Sequence, residues 1–127
     1  MDEKFGKQEK LKSKLIIDRL FSEGQSLKKY PLRLIYLPIL DTKHRTNKTA
    51  VSVSKRNFRK AVDRIYLKRL MREAFRKNKY LVSSNLYSPF AFMFIYTARE
   101  KVSYAQVHKA MEDILKRFGE RYKNEEL

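Results

Sequence analysis

Apolar positions along the chain recur with two different periods, and the switches between them divide it into elements. Leu15, Ile16, Leu20 and Phe21 follow helical spacing, with Ser13 placed to cap the N-terminus and Gly24 placed to end the run. They predict a first helix over residues 13–23. Leu32, Leu34 and Tyr36 then alternate with Arg33, Ile35 and Leu37, which predicts a strand over 31–37 with apolar side chains on both faces. Pro31 limits pairing at its start and points to an edge or a bend. The polar stretch DTKHRTNK, residues 41–48, leads to a second strand, TAVSVS at 49–54, and the two strands are expected to form a hairpin. Small residues dominate TAVSVS. They suit an inner strand facing a helix, or a surface that something approaches closely.

Helical periodicity returns over residues 60–79 and stops at the polar SSN of 83–85. AFMFIYTA, residues 91–98, carries no charge, so it is expected to be the central strand, covered on both faces. Ser103 then caps a last helix whose Tyr104, Val107, Met111, Ile114, Leu115 and Phe118 make one stripe. The sum is a single α+β sandwich in the order helix, strands, helix, strand, helix. Residues 1–12 are expected to be a flexible start, 13–118 the folded domain and 119–127 a frayed tail.

Composition sharpens this. At 127 residues the chain suits one domain with a real core, and 43% apolar content with eight Phe and eight Tyr disfavours disorder. The net charge of +16 calls for a polyanionic partner: nucleic acid, an anionic membrane or an acidic protein. Cysteine is absent, which excludes disulfides and thiolate metal sites and fits a reducing compartment. With no apolar run of about 18–20 residues and no secretory h-region in MDEKFGKQEK, a cytoplasmic location is expected.

The excess charge is concentrated. Residues 55–79 hold eleven Lys or Arg against Asp63 and Glu73, a surplus of nine. On a helical wheel Leu67, Leu70, Met71, Ala74 and Phe75 occupy one arc of about 140°, while Arg64, Lys68, Arg72 and Arg76 step along its flank with Arg69 beyond them. A solvated helix of mixed sign is the ordinary explanation for a charge run, but like charges four apart cost a few tenths of a kcal/mol per pair, and here they repeat three times. A phosphate backbone accounts for the ridge directly, and Arg grips phosphate oxygens in a two-pronged way. Ile65 projects among the cations, to pack on a neighbouring segment or on the sugar face of RNA. Tyr66 belongs to the core rim or to the contact surface.

Nothing resembles a self-sufficient nuclease. His44 lies in a loop and His108 beside the apolar stripe of the last helix, Asp41 and Asp63 are isolated, and glycine occurs only at 6, 24 and 119, so no phosphate-cradling glycine loop exists. A DNA-binding helix module is disfavoured because strand, and no positioning helix, precedes the basic helix. A membrane-surface role is disfavoured because the apolar arc is needed for the core.

RIYLKRLMREAFR, residues 64–76, resembles the basic helix of the protein subunit of bacterial ribonuclease P, keeping Arg64, Lys68, Arg69, Arg72, Glu73, Ala74 and Phe75 and departing at Ile65 and Tyr66, where that family usually has Asn and Arg. LIIDRLFSEGQS at 15–26, PLRLIYL at 31–37, SVSKRNFRKAV at 52–62 and FIYTARE at 94–100 continue the similarity in order, over residues 11–118, with Ile17 where an aromatic is often found. The resemblance implies a mixed four-stranded sheet with a left-handed crossover, the ribosomal protein S5 domain 2-like fold, which the usual right-handed rule would not predict. It implies that an RNA subunit cuts precursor tRNA with Mg²⁺ held mainly by RNA and substrate, and that no side chain here is catalytic. The protein's partners would be that RNA and the precursor, with neither membrane nor DNA. Arg59, Lys60, Arg64, Lys68, Arg69, Arg72 and Arg76 would face the RNA. Phe21, Tyr36 and Ser52 would line a cleft for the single-stranded 5′ leader, with Lys55, Arg56 and Asn57 at its rim. Core packing is the competing reading for Phe21 and Tyr36. A ribosomal or other structured-RNA-binding protein would share the basic surface.

Overall fold

The computed structural model describes residues 10–39, 47–83 and 89–122. The elements run α1 (Lys14–Glu23), β1 (Gln25–Lys29), β2 (Leu32–Pro38), β3 (Lys48–Val53), α2 (Ala61–Asn78), α3 (Tyr80–Ser83), β4 (Phe90–Tyr96) and α4 (Tyr104–Arg121). The four strands form one mixed sheet in the order β1-β2-β4-β3, with β3 and β4 parallel and the other neighbours antiparallel.

The expected hairpin of residues 31–37 with 49–54 does not form, because β4 lies between β2 and β3. β4 is buried along almost its whole length, so it takes a central place and bonds on both edges. That leaves β3 parallel to it, and a parallel pair requires a crossover, which α2 supplies. The hairpin partner of β2 is β1 instead. QSLKK holds a single apolar residue, Leu27, too little alternation to reveal a strand. Pro31 sits in the β1–β2 turn after a cis Tyr30–Pro31 bond, so it marks a bend, and β2 is an interior strand.

Strand alternation divides the core into two layers. Leu32, Leu34, Tyr36, Phe92 and Phe94 face α2 and α4, meeting Leu67, Met71, Phe75, Met111, Ile114 and Phe118. Ile35, Leu37, Ala91 and Met93 face the other way, against Leu20 of α1 and Leu11. The expected double cover of β4 is therefore present, α1 on one face and α2 with α4 on the other.

Two helix ends show why their residues are there. The Ser13 hydroxyl accepts from the Ile16 N–H at 3.3 Å, and the Ser103 hydroxyl accepts from the Gln106 N–H at 3.2 Å, so both expected caps are present. Gly24 ends α1 with φ of −68°, a backbone open to any residue. Its requirement is space: a Cβ there would run into the Leu20 carbonyl oxygen and Ile35 Cγ2.

Both termini of the described chain reach further than expected. Leu11 is buried and its N–H donates to the Thr49 carbonyl at 2.9 Å. At the other end α4 runs to Arg121, and the Tyr122 ring packs 4.9 Å from Phe118 and 5.2 Å from Phe90.

Candidate nucleic-acid interface

α2 buries Leu67, Met71, Ala74, Phe75 and Asn78, with Leu70 at the margin of that stripe. The opposite side of the helix is solvent-facing and carries the charge. Arg69 and Arg72 are exposed, Lys68 is half-buried beside the stripe, and Arg59 and Lys60 are exposed just ahead of the helix. No carboxylate among the described residues pairs with any of these five, whereas the described carboxylates on this side are taken up by other cations.

Arg64 and Arg76 behave differently. The Arg64 guanidinium donates to the carbonyls of Phe58 and Arg59 at 2.8 and 2.9 Å, tying the loop after β3 to the first turn of α2. Lys60, at the N-cap, makes no side-chain capping bond, so the Arg64 tether fixes this loop on the helix without satisfying the N–H groups of the first turn. Arg76 grips Glu73 with two hydrogen bonds, 3.1 and 2.6 Å, and that contact holds the Glu73 carboxyl below its ordinary pKa.

Val62, Ile65 and Tyr66 are 66%, 55% and 46% exposed, so none of the three belongs to the core. Lys101 bonds Asp63 at 2.8 Å and lies 5.7 Å from the centre of the Tyr66 ring. The loop after β4 is thereby fastened to the start of α2.

The cleft residues divide. Ser52 pairs with Ile95 and, with Ala50, faces the α1 side; the α1 contacts fall on β2 and β4, and these two β3 residues are only half-buried. Phe21 stands on α1 with 58% exposure, so its ring is available. Lys55 and Arg56 are exposed and Asn57 half-buried in the turn after β3, where the Ser54 hydroxyl accepts from the Arg56 N–H at 3.0 Å. Tyr36 does not join them. It is 1% exposed on the opposite face, packed against Phe118 at 4.9 Å. With a period of two, the β2 residues on the α1 face are Arg33, Ile35 and Leu37.

The Tyr36 hydroxyl closes a network, donating to Gln25 Oε1 at 3.2 Å and receiving from Arg121 at 2.7 Å, with Tyr122 Oη 3.2 Å away. Burial, with Tyr122 adding to it, raises its pKa above the usual phenol value. His108 is half-buried, its Nε2 3.3 Å from Asn78 Nδ2, a rim position as expected. His44 and Asp41 lie outside the described residues. Among those described, no three His, Asp or Glu side chains converge to cage a metal ion, and no helix is long and apolar enough to cross a membrane.

Lys10 and Lys12 fall in the expected flexible start, yet they flank the buried Leu11. The alternation Lys10–Leu11–Lys12, one apolar residue between two cations, was the available signal.

The family model described as Ribonuclease P matches residues 5–119. The ribonuclease P protein component of Porphyromonas gingivalis is 37% identical over 120 residues, covering 89% of this chain and 85% of its own. That of Chlorobium phaeobacteroides is 43% identical over 76 residues, 58% of this chain and 52% of its own. The fold is shared with the RNase P protein of Staphylococcus aureus, at 21% identity, a TM-score of 0.69 and coverage of 87% and 94%. It is shared equally with that of Thermotoga maritima, at 24% identity, a TM-score of 0.69 and coverage of 86% and 96%. A crossover helix whose Lys68, Arg69 and Arg72 meet no carboxylate among the described residues, on this sheet and with these relatives, leaves one assignment: the chain belongs to the ribonuclease P protein family, as a bacterial protein component of that tRNA-processing ribonucleoprotein nuclease.

Proposed function

We propose that this chain binds the RNA subunit of ribonuclease P through the outer side of α2 and helps seat the 5′ leader of precursor tRNA on the α1 side of the sheet, while the RNA performs the cleavage. The observation that carries the reading is the set of five cations, Arg59, Lys60, Lys68, Arg69 and Arg72, without a described carboxylate partner. Holding like charges together without internal neutralisation is favourable when a polyanion releases its counterions to them.

A leader is single-stranded and varied in sequence, so it is best held by cations and apolar or aromatic faces that accept any base. Phe21 and Ser52 supply the wall, with Lys55 and Arg56 as cations at the rim. Ile35, on the same face of the sheet, is buried beneath α1 and does not take the place first assigned to Tyr36. Mg²⁺ would be held mainly by the RNA and the substrate. The protein's part is to bind, position and screen charge, which lowers the barrier by holding the reacting strand in place.

Cleavage of a precursor tRNA by the RNA alone and by the complex, at low Mg²⁺, tests this. The complex is expected to cut faster, and more so for a precursor with a full leader than for one with a single leader nucleotide. Equal rates with and without protein would reject the reading.

A further inference from the structure

β3 is an outer strand of the sheet, and the segment around Leu11 runs along its free edge through the Leu11 N–H to Thr49 carbonyl bond. Leu11 turns inward to the layer beneath α1. Lys10 and Lys12, its neighbours on either side, line a hollow of about 450 Å³ together with Thr49, Ala50, Val51 and Arg72 of α2. Three cations thus converge from two elements on one strand edge. None of the three pairs with a carboxylate among the described residues.

A second observation points to a ligand that accepts hydrogen bonds. Thr49 is 2% exposed and its Oγ1 has no hydrogen-bond partner among the described residues. Buried hydroxyls without partners are rare and cost stability. The main chain adds another donor. In a parallel ladder a residue's N–H and C=O point to the same side and successive residues point to opposite sides, so Val51 directs its N–H outward as Thr49 does its carbonyl. Hydroxyl, amide and three cations together suit a tetrahedral oxyanion.

We propose that this hollow is a phosphate site, formed by Lys10, Lys12, Thr49 Oγ1 and Arg72. The phosphate is either a phosphodiester of bound RNA or free inorganic phosphate. Only the first source rests on the function proposed above. The site lies at the free edge of β3, apart from the Ser52 face assigned to the leader.

The test follows thermal unfolding of the full chain while inorganic phosphate replaces chloride at constant ionic strength. The wild type is expected to gain Tm with phosphate. Thr49→Val keeps the charge and shape, so it is expected to be at least as stable without phosphate and to bind it about tenfold more weakly. Thr49→Ser restores the response. Arg72 is exposed, so Arg72→Gln, expected to weaken phosphate binding by tenfold or more, carries the test should Thr49→Val not fold. An identical phosphate response in wild type, Thr49→Val and Arg72→Gln would overturn the site. Ribonuclease P RNA binding then assigns the source. Competition by phosphate in the wild type, weaker in Thr49→Val, identifies an RNA phosphodiester; no competition identifies free phosphate. A wild type that fails to bind this RNA at all would sink the proposed function and leave the phosphate titration standing.

Discussion

α2 and α4 are both 18 residues long, both bury a stripe against the same sheet face, and they pack on each other. Their outer sides differ. α4 carries four cations and three carboxylates, and its charges are spent internally: Lys109 on Asp113, Lys116 on Glu112, and Lys29 of β1 on Asp113 as well. Arg117 donates to the Lys28 carbonyl and Arg121 to Tyr36. α2 carries six cations against two carboxylates, and of these Asp63 is held by Lys101 and Glu73 by Arg76. On the reading proposed above, the basic residues left without a carboxylate partner among the described residues are the ones a polyanion would meet. Counting Lys and Arg alone would not separate α2 from α4.

The comparison breaks first at its shared base. Phe118 of α4 is fully buried and its ring lies 4.9 and 5.0 Å from those of Tyr36 and Phe92. Phe118→Ala is expected to cost about 3–5 kcal/mol in urea unfolding, and to weaken RNA binding only by the fraction unfolded. A loss near 1 kcal/mol would mean that α4 is not the anchor of the layer that carries α2.

Arg64 sharpens the distinction between spent and available charge. Because its guanidinium bonds two backbone carbonyls, Arg64→Gln is expected to cost about 1–2 kcal/mol of stability. Its effect on the salt dependence of RNA binding should be smaller than that of Arg69→Gln. The reverse order, unchanged stability with a large loss of salt dependence, would place Arg64 among the RNA contacts.

The α4 end has its own pH signature. Tyr36 and Tyr96 have folded pKa values raised by burial above the ordinary 10.0. Each is therefore protonated in the folded state where the unfolded chain has begun to lose its proton. Stability from these groups is complete below pH 10 and falls as pH rises through the raised values. Urea midpoints from pH 8 to 11 should be flat and then decline, and a midpoint that rises above pH 10 would contradict the burial of these rings.

Much of the fold was legible because its long elements have clean periods: α2, α4 and β4 each repeat one pattern over many residues. What escaped had a physical cause. β1 is nearly all polar, since it is an edge strand holding one apolar residue toward the core. The β2–β3 hairpin failed because local pattern cannot show that a later strand, β4, inserts between two earlier ones. Tyr36 and Ile35 are neighbours on opposite faces, and both faces of β2 are apolar and buried, so alternation alone does not tell which layer Tyr36 joins. In the basic ridge the periodicity shows the helix and its buried stripe, but not that Arg64 and Arg76 are bonded within the molecule. Those contacts depend on the loop of residues 58–60 and on the rotamer of Glu73.

The most direct measurement is the salt dependence of ribonuclease P RNA affinity for three proteins: wild type, Arg69→Gln/Arg72→Gln in α2, and Lys109→Gln/Lys116→Gln in α4. Each lost phosphate contact should reduce the slope of log K against log salt by about one. The α2 pair is expected to lower the slope by about two and the α4 pair to leave it close to the wild-type value. Equal slopes for the two pairs, or a larger change from α4, would contradict the proposal that the outer side of α2 is the RNA-binding surface.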